Sequence, residues 1–155
     1  MTDLVISNGR ATDARALAEL NSAMAVETEE IHLDFDRLLQ GVQAVFADPR
    51  KGFYLVAEAG GEVVGQLLIT YEWSDWRNGV FWWVQSVYVA PAARGKGVYR
   101  ALYEEVVRRA REDGEVCGLR LYVERNNDRA KLTYQRLGMS PTVYEMWEED
   151  FVLER

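Results

Sequence analysis

Phe53–Ala59, Val63–Tyr71 and Val80–Val89 are β-rich runs that follow one another with no helical stretch between them. Gly60-Gly61 joins the first two, a strong hairpin signal because glycine accepts the positive φ of a tight turn. Such a meander commits the chain to a sheet, and the flanking segments must supply what covers its faces. Leu4–Ser7 reads as a short strand. Thr12 is placed to cap a helix carrying Leu17, Leu20 and Met24, and Asp34 to cap a second carrying Leu38, Val42, Val45 and Phe46, which Asp48-Pro49 ends. Trp73–Gly79 reads as a polar turn, and Ala90-Pro91 stops the third run. A helix is expected from near Gly97, with Val98, Ala101, Leu102, Val106 and Ala110 on one face and Gly114 at its end. A strand over Leu119–Glu124 follows, then a short helix capped by Asn126 or Asn127. That helix carries Ala130, Tyr134 and Leu137 and closes on Gly138 as a left-handed C-cap. Val143–Phe151 reads as a last strand. A meander followed by strand–helix–strand predicts an α/β fold with a mixed sheet and helices on both faces.

Composition removes several kinds of chemistry. One cysteine, Cys117, and one histidine, His32, exclude an intramolecular disulfide, Cys/His zinc sites and a His-based triad. No metal is expected. No apolar run reaches the ~18 residues of a membrane span, and Met1-Thr2-Asp3-Leu4 lacks the pattern of a leader peptide. At 155 residues the expectation is a single domain, residues 1–155, in the cytoplasm. A net charge of −7 disfavours nucleic acid and anionic membranes as partners. The charge is uneven: Arg94, Lys96, Arg100, Arg108, Arg109 and Arg111 cluster in one stretch, and Glu27, Glu29, Glu30, Asp34 and Asp36 in another. The last residues from Glu145 to Glu154 are acidic, opposed by Arg155 alone.

The stretch that carries chemistry begins where the third run stops at Pro91 and Arg94-Gly95-Lys96-Gly97 opens a helix. Glycines let backbone N–H groups converge on one anion, and the helix N-terminus adds partial positive charge. With Arg94, Lys96 and Arg100 alongside, this is a recipe for a diphosphate site. It is not a Walker A loop, because Gly97 follows Lys96 where Ser or Thr is required. It is not a dinucleotide fingerprint either, because Arg100 stands where a third glycine belongs.

These residues resemble the GNAT superfamily of acetyl-CoA-dependent N-acyltransferases. The family's Gln/Arg-x-x-Gly-x-Gly/Ala pattern reads here Arg94-Gly95-Lys96-Gly97-Val98-Tyr99, with Tyr99 in the position usually held by a small residue. A second feature follows in the right order: Leu121-Tyr122-Val123, then Asn127 to Tyr134 with Ala130 between, then Leu137-Gly138-Met139. The resemblance implies a central six- or seven-stranded, mostly antiparallel sheet with a splayed parallel strand pair. It implies acetyl-CoA as co-substrate, held by the backbone of Val87, Tyr88 and Val89 along the acyl arm. Gly95, Lys96, Gly97, Val98, Tyr99 and Arg100, with Arg94, would hold its diphosphate. Asn127 either contacts the pantetheine or only caps its helix. Only one strand follows residue 143 where many relatives have two, so that edge is either absent or completed by a second copy in a homodimer.

The implied reaction is amine attack on a thioester. Freeing the lone pair of a lysine-like amine with pKa ~10.4 costs roughly 4–5 kcal/mol at neutral pH. The leaving thiolate then needs a proton, which the resemblance assigns to the phenol of Tyr134; packing beside Ala130 is the other reading of that residue. The glutamate that many relatives carry on the strand before the loop is absent, for Gln85 and Ser86 stand there. Water held at Gln85 or Ser86, Glu124 acting through water, and His32 are the remaining routes for the amine proton. Glu27, Glu30, Trp73 and Trp83, with Trp76 and Trp82 nearby in sequence, suit a small cationic amine as acceptor. The tryptophans also have strand packing as a reading, and one of Trp82 and Trp83 must face the core. A catalytically silent CoA-binding sensor or interaction module is the alternative function.

Overall fold

Alternation along the central strands sends side chains to two separate cores, and a computed structural model describes residues 3–153 of this arrangement. Met1 and Thr2, part of the N-terminus read above as lacking a leader, and Glu154 and Arg155 of the acidic tail lie outside the described residues. The chain divides into two compact units between Leu121 and Tyr122.

The first unit is a five-stranded sheet in sequential order: β1 (Val5–Asn8), β2 (Phe53–Ala59), β3 (Glu62–Ser74), β4 (Gly79–Val89) and β5 (Val116–Arg120). The pairs are antiparallel up to β4, and β4 and β5 are parallel. Helices α1 (Ala14–Glu29) and α2 (Phe35–Ala47) cover one face and α3 (Val98–Glu112) the other. On β2, Tyr54 and Val56 join Leu17, Ala18 and Val42 in the α1–α2 core, while Leu55 and Ala57 join Leu67, Ile69, Leu102 and Val106 in the α3 core. A strand sandwiched between helices buries both faces, which is why β2 reads as a nearly continuous apolar run. Asp34 caps α2 as expected, its Oδ1 accepting from the amides of Asp36 and Arg37. Among the described residues, no helix is long and apolar enough to cross a membrane.

The second unit carries α4 (Asp128–Arg136). Asn127 is its N-cap, accepting from Ala130 N–H at 3.1 Å. Gly138 closes it at φ 95°, with Met139 N–H on Tyr134 C=O and Gly138 N–H on Gln135 C=O, a Schellman ending.

The α/β class, the mixed sheet and the parallel pair match expectation; two boundaries and the strand number do not. Thr12 lies inside a 3-10 turn, Ala11–Asp13, that precedes α1, so Asp13 rather than Thr12 is the residue before the helix. The fifth strand is Val116–Arg120 rather than Leu119–Glu124, because it pairs with the start of β4, Val80–Trp83, just after the short turn that closes α3. Val143–Phe151 forms no strand, and the sheet has five strands among the described residues rather than six or seven. Strand-forming residue types are a property of one segment, whereas a strand requires a neighbour to accept its hydrogen bonds.

Gly65 on β3 sets how closely α3 approaches. A Cβ there would lie 2.9 Å from Val98 Cγ1 and 3.5 Å from Leu102 Cδ1, both side chains buried and short. Gly65→Val is expected to lower stability by about 1–3 kcal/mol through overpacking, read as a lower urea midpoint with an unchanged slope.

Candidate active site

β4 carries two neighbours along its first half and one along its second. It pairs with β5 only from Val80 to Trp83, while its pairing with β3 runs on to Gly65 opposite Val89. Within this unit, the β4 edge from Val84 to Val89 therefore has no strand paired to it on the β5 side. A bulge interrupts the same stretch: Gln66 pairs with Tyr88 but Leu68 with Gln85, so Ser86 and Val87 together oppose Leu67. Ser86 sits at φ 52°. The extra residue resets the alternation. Val84, Val87 and Val89 pack with the α3 core, and Tyr88 turns to the α1 side.

The loop after β4 is a 3-10 turn, Pro91–Ala93, followed by Arg94 and the two glycines. Gly95 and Gly97 hold φ of 77° and 79°, with open space where a Cβ would project. Ala93 and Val98 are buried and anchor the two ends of the loop. Gly97 is the N-cap of α3 and has no side-chain cap bond. The amides of Gly95, Lys96, Gly97, Val98 and Arg100 have no partner among the described residues; the first helical bond is Ala101 N–H to Gly97 C=O at 3.0 Å. An uncapped, solvent-open helix start with left-handed glycines is a fit for a diphosphate. The Tyr99 ring stacks on Tyr103 along α3, centroids 6.4 Å apart.

The cationic side chains of this loop are engaged elsewhere. Lys96 Nζ donates to Ala92 C=O at 3.2 Å, and Arg100 pairs with Glu104 at 2.8 Å. Arg94 reaches across to α1: its guanidinium pairs with Glu27 at 2.8 Å, its Nε donates to Val89 C=O at 3.0 Å, and it lies 5.3 Å over the Tyr88 ring. Tyr88 Oη donates to the same Glu27 carboxylate at 2.5 Å. The Arg94 hydrogen bond first, and the Tyr88 bond next, hold the Glu27 carboxyl below its ordinary value. Burial and then the Glu27 bond push the Tyr88 phenol up, so it stays a donor. Glu27 is thus a structural tie, neutralised by Arg94. Beside the tie lies an open cleft of about 640 Å³ lined by Glu19, Ser22, Val26, Phe35 and Tyr88, among others.

Farther along the same face of β4, Gln85 Nε2 donates to Thr70 Oγ1. Trp83 Nε1 donates to Glu72 Oε1 at 3.1 Å, and Arg120 donates to that oxygen at 2.6 Å. Trp83 first and Arg120 next keep Glu72 ionised below the ordinary carboxylate range. Arg120 also covers the Phe81 ring at 3.7 Å. The sequence reading missed Glu19, Glu72 and Arg120. The hairpin register would have found Glu72, since a turn joining Ser74 to Gly79 pairs residue 72 with 81.

The other expected residues of the first unit scatter. Trp82 is in the core, edge-on to Phe53 at 5.2 Å, and Trp83 faces the other way. Trp73 and Trp76 are 64% and 85% exposed toward the tip of the β3–β4 hairpin. Glu30 is the exposed left-handed C-cap of α1, and His32 is exposed just beyond it. In the second unit Glu124 Oε2 accepts from Asn126 N–H at 3.0 Å, Asn127 spends its carbonyl on the α4 cap, and Tyr134 is half-buried on α4.

The sequence profile of the acetyltransferase (GNAT) family matches residues 14–139. The chain belongs to the GNAT acetyltransferase family. GNAT members take acetyl-CoA as acyl donor. The crystal structure of a possible acetyltransferase from Clostridium difficile 630 superposes with a TM-score of 0.90 at 42% identity, covering 97% of this chain and 99% of that one. Mycothiol acetyltransferase of Corynebacterium aurimucosum is 31% identical over 77% of this chain and 40% of its own length. That of Gordonia bronchialis is 30% identical over 84% and 41%. The chain thus spans about two fifths of the length of these curated relatives. An aminoglycoside N-acetyltransferase in complex with CoA shares the GNAT fold, with a TM-score of 0.75 at 17% identity over 97% of both chains.

The Glu27 tie has a pH signature. A carboxyl held below its ordinary value stabilises the folded state above that value, and the stabilisation is lost as pH falls through the lowered one. Thermal unfolding of wild type against Glu27→Gln should differ most at pH 7, with wild type the more stable. The difference should close as pH drops below about 4.5, the ordinary value of this carboxyl. A gap that stays constant with pH would contradict the tie.

Proposed function

We propose that this protein is an N-acetyltransferase that moves an acetyl group from acetyl-CoA to a primary amine of a small cationic acceptor, by direct attack in a ternary complex. The observation that carries the reading is that the amides of Gly95, Lys96, Gly97, Val98 and Arg100, at the uncapped start of α3, have no partner among the described residues, beside the stretch of β4 that β5 does not pair. The proposal treats residues 1–155 as one acyltransferase domain.

When bound, acetyl-CoA supplies an acetyl thioester, an acyl group already activated toward amines. The amides of the loop hold the diphosphate, and the backbone of Val87, Tyr88 and Val89 lines the acyl arm. Arg94 serves the site from behind, by tying the loop to α1 through Glu27. Gln85 and the Ser86 carbonyl hold water that takes the ammonium proton, with Glu124 as the other acceptor. Tyr134 Oη donates a proton to the departing sulfur. The one cysteine is not placed as an acyl-accepting nucleophile: Cys117 is exposed, and β5 sets it beside Gly79 at the far end of β4. A cation is favoured as acceptor because Glu19 lines the cleft without an ion-pair partner among the described residues, next to the aromatic faces of Phe35 and Tyr88.

A catalytically silent CoA-binding module is the second reading, and one observation favours it. The β4 stretch Trp83–Val87 carries no carboxylate, and Gln85 is already bonded to Thr70. Thiol release from acetyl-CoA across a broad amine panel separates the two readings. The transferase reading expects turnover with cationic primary amines, and turnover lowered roughly 10²–10⁴-fold by Tyr134→Phe with little loss of acetyl-CoA affinity. Tight acetyl-CoA binding with no amine turned over would favour the silent module.

A further inference from the structure

Gln66 is fully buried, at 0% exposure, in the middle of a strand otherwise lined by Leu67 and Ile69. Its Nε2 donates to Ser86 C=O at 3.0 Å across the bulge, while its Oε1 is buried with no hydrogen-bond partner among the described residues. A half-satisfied amide is a poor core filler. Leaving a buried acceptor unpaired costs more than burying an apolar side chain of the same size. Methionine or leucine would serve packing better, so the reason for an amide lies in the bond it makes.

That bond falls on the one residue of β4 whose backbone needs holding. Ser86 is at φ 52°, a region that residues other than glycine rarely adopt. Without the bulge, strict alternation from Val84 would send Ser86 and Tyr88 toward α3. With it, Val87 and Val89 take the α3 side and Tyr88 reaches Glu27, which in turn holds Arg94. The conformation of Ser86 thus decides which groups of β4 face α3 and whether the loop is tied to α1.

We propose that Gln66 is a positioning residue: its buried amide pins Ser86 in the left-handed conformation and so keeps the Val87–Val89 edge and the Arg94 tie in register for acetyl-CoA. The acetyl-CoA part of this rests on the transferase reading; the pin itself does not.

The test is a double-mutant cycle of Gln66→Met and Ser86→Gly, read by melting temperature without ligand and by calorimetric affinity for acetyl-CoA. Glycine adopts a positive φ unaided, so the two changes should couple. In the parent background Gln66→Met should weaken acetyl-CoA binding about 10-fold or more; in the Ser86→Gly background the loss should be below about 3-fold. The melting temperature should show the same coupling. Equal losses in both backgrounds, or no loss at all, would overturn the pin and leave the transferase reading standing. Coupling in the melts of a chain that never binds acetyl-CoA would overturn the transferase reading and, with it, the acetyl-CoA part of the proposal, while the pin stands. Should Gln66→Met not fold, Gln66→Glu replaces it. A protonated carboxyl can donate to Ser86 C=O and an ionised one cannot, so acetyl-CoA affinity should recover as pH falls. A Gln66→Glu protein with the pH profile of wild type would refute the pin.

Discussion

Helix α3 begins with amide groups that have no partner among the described residues. Most helix starts are closed by a side chain of the N-cap residue, and α2 and α4 are, by Asp34 and Asn127. At α3 the N-cap is a glycine, the preceding loop bends through two left-handed glycines, and the space around them is open. Unpaired donors and the helix dipole together favour an anion at that point. The rest of the first unit serves to present this feature. Gly65 lets α3 press against β3, buried Ala93 and Val98 fix the loop at both ends, and the Glu27–Arg94 pair ties it to α1.

The second constraint is the parting of β4 from β5. A parallel pair that stops at Trp83 while β4 continues to Val89 leaves the second half of an interior strand paired on one side only, among the described residues of the first unit. Free backbone groups at such an edge suit an extended ligand that hydrogen-bonds as a strand would. The loop amides and this edge are consecutive in the chain, so one segment offers sites for a charged group and for an extended arm in turn.

How much of this was legible in the sequence follows from the range of each signal. Local signals worked: the Gly-Gly hairpin, the caps at Asp34 and Asn127, the close at Gly138 and the glycine loop each depend on a few adjacent residues. The Glu27–Arg94 pair joins residues 67 apart, and no local pattern marks it. The bulge was invisible because serine carries no preference for positive φ. Reading β4 as unbroken alternation therefore misplaces Tyr88. The partners of the loop cations are equally unmarked: Arg94, Lys96 and Arg100 each have one within the protein, while the amides of Gly95, Lys96, Gly97, Val98 and Arg100 have none among the described residues. Val143–Phe151 shows the limit from the other side, since it reads as a strand by residue type but no strand pairs with it among the described residues.

The central claim is that backbone amides, rather than side-chain cations, receive the diphosphate of acetyl-CoA. An amide-resolved NMR titration with CoA, and separately with pantetheine, tests it most directly. The account predicts large shifts and slowed hydrogen exchange at Gly95, Lys96, Gly97, Val98 and Arg100 with CoA, and little change at these amides with pantetheine. Shifts confined to other parts of the protein, or the same loop response to both compounds, would contradict it.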